Sequence, residues 1–346
     1  MKNILIFNVG SSSIKYGIYK GVKKRFCGCV DKLCSKEDYE KAFCKVYHEL
    51  KNEKMDLIIH RVVHGGSINR PSRITKEVKK EIKEFSEFAP LHNPLQLMII
   101  ELSEKFKKSQ YAVFDTSFFY DLPKVSVTYA IPLEISKKYN IKRYGFHGIS
   151  HSSVSKGLGG RTIICHLGQG VSISALRNGK PLDTSMGLTP LEGLVMCTRS
   201  GSIDPGLIIF LQKKGYDMQK ILNYESGLKG LCGLSDFRDV LKNMKNKKVK
   251  LAYDVFVYNI IKYIGAYVAV LNGLDNLVFT GAIGENSSWV RKDVCISLNY
   301  LGLKLDKLKN EKNNEIISLE KSKVKVYVKK ADEEIEMIKE VMKILK

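Results

Sequence analysis

The sequence predicts an α/β protein of two domains built to one duplicated plan, each with a mixed sheet. Three observations predict it. ILIFNVGSSSIKYGIYKG at 4–21 and TIICHLGQGVSISALRNG at 162–179 share one order: an apolar strand, a polar residue (Asn8 or His166), a glycine two further on (Gly10 or Gly168), then an alternating return strand. Helix-like stretches follow each hairpin, as α/β or mixed-sheet domains require. The length of 346 residues, 44% of them hydrophobic, suffices for roughly two packed cores.

Taken in order, the first hairpin turns through Asn8, Gly10 and three serines, 11–13. Its hydroxyls and flexible backbone suit an anion cradle, and they equally suit an ordinary Ser/Gly turn. Ile14, Tyr16 and Ile18 alternate with Lys15, Gly17 and Tyr19, so the chain returns as a strand, not as the helix that follows a Walker A or dinucleotide glycine loop. HRVVHGG at 60–66 places Arg61 and His64 on a short apolar strand ending in a glycine pair. Helix-like stretches run over 76–88 and 94–106, and His92 sits between two prolines in APLHNP. FDTSF at 114–118 ends an apolar strand in Asp115. RYGFHGISH at 143–151 offers His147 and His151, and TRSGSIDP at 198–205 offers Arg199 and Asp204. After the second hairpin, helices are expected over 205–213 and 251–271. A strand over 277–280 then meets a glycine turn, Gly281 to Gly284, which lets backbone approach a ligand closely. A last helix covers 331–345. No low-complexity linker separates the halves, which points to packed domains joined by a hinge.

The bulk numbers narrow the function classes. No apolar run approaches the ~18 residues of a membrane span, and the N-terminus shows no basic-then-apolar leader, so a cytoplasmic protein without a membrane role is expected. The eight cysteines lack a paired C-x-x-C knuckle, which favours free thiols in a reducing compartment over a zinc site. A formal charge of +21 invites a nucleic-acid reading, but the lysines are dispersed among acids and polar residues and no nucleic-acid motif appears; a solvated basic surface that gathers anionic substrates fits better. No serine occupies a G-x-S-x-G elbow and no cysteine has a thiol-protease context. Two arginines, several histidines, strand-end carboxylates and three small-residue turns are instead the parts phosphoryl transfer needs, because the migrating group spreads negative charge over its oxygens.

These motifs carry a resemblance. NVGSSSIKY, HRVVHGG, APLHNP, FDTSF, RYGFHGISH, HLGQG, DTSMGLTPLEGLVMCTRSGSIDP, SDFRD and FTGAIGENS follow one another in the order and spacing seen in acetate kinases, over nearly the whole chain. The block at 183–205 is the most specific. The resemblance implies a duplicated actin-like, ribonuclease H-like (ASKHA) fold of two domains around a central cleft. The C-terminal helix returns to the first domain, giving 1–119 plus 336–346 and 120–335. It implies Mg²⁺-dependent, reversible transfer of the ATP γ-phosphoryl group to acetate, giving acetyl phosphate and ADP, with Mn²⁺ as an alternative ion and a homodimer as the usual assembly.

Carried over residue by residue, the resemblance puts Arg61 and Arg199 on the phosphoryl group and acyl carboxylate, a use that suits planar guanidinium donors. His147 would bond the phosphoryl oxygens, Asp115 would orient the nucleophile or metal-bound water, and His92 would support them. Asn8 and Glu333 would anchor Mg²⁺, a hard cation that takes oxygen ligands. Ser13 and Lys15, then His166, Gly168, Gln169 and Gly170, would meet the nucleotide phosphates. Asp236, Phe237 and Arg238 would contact adenosine, although an Asp-capped helix start explains them as well. Gly281, Ala282, Ile283, Gly284, Glu285 and Asn286 would close the nucleotide pocket. Val63, Leu91, Phe146 and Pro190 would form an apolar acyl pocket in which an extra methylene is worth only ~1 to 3 kcal/mol.

The match departs in places. Segments after Lys20, around 155–160 and before the last helix are trimmed. Gln169 stands where Asn is usual, Ser202 replaces an acid, and Gly281–Ala282 inverts the commoner order. Loss of the acid at 202 is expected to leave Arg199 less well oriented. The competing readings are a propionate or butyrate kinase of the same superfamily, and an actin-like nucleotide-binding regulatory protein without transfer chemistry.

Overall fold

The computed structural model describes residues 1–10 and 13–345, so Ser11 and Ser12 of the first turn lie outside the described residues. The chain groups into two compact units. The first comprises Met1–Tyr120, Phe146–Ser153 and Asp332–Lys346, and the second Asp121–Gly145 and Val154–Ala331. The first unit thus takes in a segment around His147 and begins its last piece at 332, where the sequence reading places 336.

In the first unit, β1 (Asn3–Val9) and β2 (Ser13–Lys20) form the expected hairpin, and β3 (Lys23–Asp31) continues it antiparallel. Next come β4 (Leu57–Val62), the two-residue β5 (Ser72–Arg73) and β6 (Ser109–Phe114). The sheet order is β3-β2-β1-β4-β6-β5, with β1, β4 and β6 parallel. Side chains alternate across a strand, so β1 divides its apolar residues between two cores. Leu5, Phe7 and Val9 pack with Tyr39, Phe43 and Val46 of the Lys36–Leu50 helix and with Ile99 of the Asn93–Leu102 helix. Ile4 and Ile6 pack with Met337, Ile338 and Val341 of the Glu333–Ile344 helix. Each fully buried aliphatic contributes about 1.5–3 kcal/mol, so the C-terminal helix is an integral layer of this unit.

In the second unit, β7 (Arg161–Leu167), β8 (Val171–Arg177), β9 (Lys180–Thr184), β10 (Asn276–Thr280) and β11 (Lys325–Val328) lie in the order β11-β10-β7-β8-β9. Two antiparallel pairs followed by two parallel ones repeat the β3-β2-β1-β4-β6 run of the first sheet. The duplication is therefore of whole sheets.

Several helix bounds differ from the sequence reading. Lys76–Glu84 and Asn93–Leu102 each end in a 3₁₀ turn, Phe85–Glu87 and Ser103–Phe106. The long helix starts at Lys247, because Asn246 accepts the N–H groups of Lys248 and Val249. At 25 residues this helix is long and apolar enough to cross a membrane by length and composition, which the sequence reading did not anticipate. Its buried residues Ala252, Phe256, Ile260 and Ile264 recur every four positions, the spacing of one helix face, and it packs on β8 as a core helix. The glycine turn after β10 is the start of a short helix, Gly281–Asn286.

Candidate functional site

The first unit gathers four of the expected residues. β1 and β4 are in register at Phe7 and His60, and β4 and β6 at Arg61 and Val113. Asn8 and Arg61 follow the Phe7–His60 pair, and Asp115 follows the end of β6 with its N–H on Val62 O (3.0 Å), so the three meet at one end of the sheet. Arg61 donates to Asp115 Oδ2 from Nε (3.1 Å) and Nη2 (2.7 Å), and from Nη1 to Asn8 Oδ1 (3.1 Å). Asn8 Nδ2 donates to Glu333 Oε2 (3.1 Å), which lies 3.6 Å from Arg61 Nη1. Glu333 is brought 325 residues to Asn8 because its helix is a layer of this unit. Asp332 fixes the helix start by accepting the Ile335 N–H at 3.0 Å. Burial is the largest influence on Asp115 and raises its carboxyl above the usual carboxylate value, while Arg61 pulls it back. Arg61 is itself desolvated, yet Asp115 and Glu333 together hold its guanidinium above its ordinary value.

His147 directly precedes Gly148, whose backbone packs on Asp115. The φ of +57° at His147 is the left-handed conformation that non-glycine residues rarely adopt. A Cβ on Gly148 would stand 2.0 Å from the Asp115 carbonyl oxygen, so glycine is required for the segment to rest on Asp115. Of the acyl-pocket residues in this unit, Val63 and Phe146 are buried and Leu91 is half-buried. His64, expected on the strand, lies two residues past its end and stacks on Phe85 at 5.0 Å. His92 precedes the Asn93–Leu102 helix as its N-cap. Ser13 opens β2, its carbonyl accepting the Gly10 N–H at 2.9 Å, and Lys15 is exposed opposite Asn8.

The second unit holds the remaining residues. Half-buried His166 is the penultimate residue of β7, and in the tight turn that follows the strand the Gly168 N–H donates to Gly170 O at 3.1 Å. The Gln169 side chain is exposed, while its carbonyl accepts the Cys197 N–H at 3.3 Å, tying this turn to the block that carries Arg199. Arg199 donates from Nη1 to Pro190 O (3.3 Å) and Met196 Sδ (3.8 Å). Among the described residues no carboxylate lies within ion-pair distance of it, and desolvation pushes its guanidinium below the usual value. Ser202, which stands where an acid is usual, makes no hydrogen bond to Arg199. Its Oγ accepts the Gly193 N–H (3.1 Å) and lies 3.2 Å from Tyr263 Oη, so it braces its own loop, while the protein contacts of Arg199 are Pro190 O and Met196 Sδ.

The adenosine and pocket-closing segments divide their side chains between site and scaffold. Asp236 is an N-cap, accepting the Arg238 N–H at 2.9 Å, and pairs with the exposed Arg238 guanidinium. The Phe237 ring is buried 5.2 Å from Phe256 and serves the core. Gly281 has φ +77°, and a Cβ there would lie 2.7 Å from Leu167 O, so its close approach is to the neighbouring strand. Glu285 Oε1 accepts from the Gly281 N–H (3.0 Å), Thr280 Oγ1 (3.3 Å) and the Ala331 N–H (3.3 Å), folding its carboxylate back on its own segment. Ile283 and Gly284 are buried; Ala282 and Asn286 are exposed, and Asn286 Nδ2 donates to Ala282 O at 2.8 Å.

Sequence reasoning passed over three sets of residues that hold these parts in place. Arg143 donates to Thr184 O (3.1 Å), Ser185 O (3.2 Å) and Glu192 Oε1 (2.8 Å), and Tyr129 bonds the other Glu192 oxygen; both acceptor sets belong to the Arg199-bearing block. Arg291, fully buried and with no carboxylate partner among the described residues, donates to the carbonyls of Gly284 (2.8 Å) and Glu285 (2.9 Å). Asn93 and Gln96 are buried amides beneath the first unit's cluster. Arg143 and Glu192 stood inside quoted motifs that were read only for their histidines and for Arg199.

Among the described residues no group of three His, Cys, Asp or Glu side chains is placed to hold a metal ion. Asp115 Oδ1 is nevertheless buried with no hydrogen-bond partner, and Asn8 and Glu333 present oxygens beside it. One or two carboxylates and an amide suit Mg²⁺, which keeps several waters and takes its other ligands from substrate phosphates.

Comparison with known proteins identifies the relatives of this chain. The acetate kinase of Protochlamydia amoebophila is 45% identical over 94% of this chain and 82% of its own length. The crystal structure of Porphyromonas gingivalis acetate kinase superposes with a TM-score of 0.88 at 35% identity over 100% of both chains. A propionate kinase structure from Francisella tularensis gives 0.88 and 35% over 98% of this chain and 99% of that one. The paired sheets of common order are thus the duplicated actin-like ASKHA fold. The acetokinase family model matches residues 31–339, and the chain belongs to that family.

Proposed function

We propose that this protein is an ATP:acetate phosphotransferase that forms acetyl phosphate and ADP reversibly. The observation that carries the reading is Arg199, a desolvated guanidinium whose protein partners are a carbonyl and a thioether. Its donors are kept for an oxyanion, and in a site of low dielectric such donors act strongly on developing charge. A carboxylate oxygen of acetate attacks the γ-phosphorus, the bond to the β,γ-bridging oxygen breaks, and ADP leaves with that electron pair. Arg199 stabilises the equatorial oxygens. Arg61, fixed by Asp115 and Asn8, binds the acyl carboxylate or phosphoryl group in one orientation. His147 donates to the phosphoryl oxygens, and His92 supports these groups. Asn8, Glu333 and Asp115 would hold Mg²⁺, which supplies charge neutralisation when bound.

The remaining assignments belong to the same proposal. Ser13, Lys15, His166 and the 168–170 turn take the nucleotide phosphates, Asp236 and Arg238 the adenosine, and Val63, Leu91, Phe146 and Pro190 the acetate methyl. The protein acts in the cytoplasm as a homodimer. The Pro205–Lys213 helix has no buried residue and exposes Leu207, Ile209 and Phe210, an apolar face suited to a second copy.

A hydroxamate assay with acetate, ATP and Mg²⁺ tests the reading. Acetyl hydroxamate is expected, and its absence from folded protein overturns the assignment. Because an acetate kinase and a propionate kinase superpose equally well, kcat/KM for acetate, propionate and butyrate decides acyl length. Acetate is expected to lead propionate by about tenfold, and a preference for butyrate contradicts the proposal.

A further inference from the structure

β1 and β4 stop pairing at Phe7 and His60, and past that point both strands enter the residues assigned above to substrate. Backbone groups at such a splayed end lose their ladder partners and still require hydrogen bonds when buried. The Asn93–Leu102 helix supplies them. Asn93 and Gln96 are three apart on one helix face and are 0% and 1% exposed. Gln96 Oε1 accepts the Val63 N–H at 2.9 Å, and its Nε2 donates to Val9 O at 2.9 Å. Asn93 Oδ1 accepts the His64 N–H at 3.0 Å, while its Nδ2 donates to His64 O at 2.9 Å and Ile82 O at 3.1 Å.

The two amides do different work. Asn93 holds one residue, His64, to the end of the Lys76–Glu84 helix. Gln96 reaches both strands at once: Val9 adjoins Asn8 and Gly10, and Val63 follows Arg61 by two residues and forms part of the acyl wall. We propose that Gln96 is a positioning residue that holds the phosphate-turn end of β1 and the acyl-binding end of β4 in fixed register. The proposal rests on the function assigned above. Its amide replaces the ladder bonds that β1 and β4 no longer make, so turn and acyl wall move together or not at all. An apolar side chain of the same shape leaves a buried N–H and a buried carbonyl unpaired, and both loops shift to recover partners.

The test compares Gln96→Met, which keeps the shape and removes both hydrogen bonds, with Gln96→Glu, which keeps the acceptor for the Val63 N–H. In Gln96→Met, amide hydrogen exchange accelerates together at 8–10 and 62–64, whether or not substrate is turned over. Its kcat/KM for acetate falls by about tenfold or more, and its preference for acetate over propionate drops by about threefold. Gln96→Glu restores that preference. A buried glutamate ionises only as pH rises through its raised pKa, when a carboxylate oxygen turns on Val9 O; KM for ATP then rises by about threefold with pH. A methionine variant with lower unfolding midpoint but unchanged acyl preference and local exchange overturns the proposal. Should that variant fail to fold, a pH-independent KM for ATP in Gln96→Glu overturns it alone. A parent enzyme inert toward acetate and propionate alike contradicts the assigned function, and the exchange comparison still decides the positioning claim.

Discussion

Arg61 in the first unit has two carboxylates within ion-pair distance, Asp115 at 2.7 Å and Glu333 at 3.6 Å, whereas Arg199 in the second has a carbonyl and a thioether. The surroundings push the two guanidinium groups in opposite directions, Arg61 up and Arg199 down. A compensated arginine is held in one place and serves orientation. An uncompensated one carries a desolvation cost that an anionic ligand relieves, so it contributes most where charge develops. The first unit is built for position and the second for charge.

That contrast can be broken by substitution. The largest effect is expected from Arg199→Ala, which removes the uncompensated guanidinium; turnover in the hydroxamate assay falls by about 10³-fold. Loss of less than tenfold would show that Arg199 does not meet the developing charge. Arg61→Lys retains the charge but cannot reproduce a grip in which Nε and Nη2 both meet Asp115 Oδ2. Its kcat/KM for acetate falls by roughly 10²-fold, because the charge is kept and the orientation is lost. Parent-like kinetics would mean that charge alone, not orientation, is what the first unit supplies.

A smaller effect sharpens the comparison on the neighbouring residue. His60 precedes Arg61 on β4 yet is fully buried, stacked 5.5 Å from Phe7 with Nε2 2.7 Å from Gln110 Oε1. Desolvation lowers its pKa from 6.5 to about 3. A depressed folded-state pKa makes this contribution fully present above pH 6.5 and lost as pH falls from 6.5 toward 3, because the unfolded chain takes up the proton first. Urea unfolding should show about 2 kcal/mol of lost stability by pH 5 from this residue, and His60→Gln should flatten that slope. An unchanged slope in the variant would assign the acid sensitivity elsewhere.

How much of this was legible in sequence depends on the range of the interaction concerned. Both hairpins were legible because strand alternation and turn chemistry are local, and the repeat at 4–21 and 162–179 exposed the duplication. Strand β3 and the Lys36–Leu50 helix were not read, although Ser35 and Asp38 form a capping box at that helix's start. The meeting of Glu333 with Asn8 followed only from resemblance, since nothing local links residues 325 apart. Asn93 and Gln96 look like solvent-facing helix residues until the sheet end they serve is known. Phe237 and Glu285 were assigned to the nucleotide only through the resemblance; that the Phe237 ring enters the core and the Glu285 carboxylate caps Gly281 depends on packing no local pattern encodes. Ser202 was read only for the acid it replaces, and its bond to the Gly193 N–H was not legible because it closes a loop of nine residues.

Unfolding free energies of Arg61→Ala and Arg199→Ala, taken side by side in urea, test the distinction most directly. Removing Arg61 strands Asp115 as a buried carboxylate without its cation and should cost about 3 kcal/mol or more, whereas removing Arg199 strands no charge and should leave stability within about 1 kcal/mol of the parent. Equal losses, or a greater loss for Arg199→Ala, would contradict the division between a compensated and an uncompensated arginine.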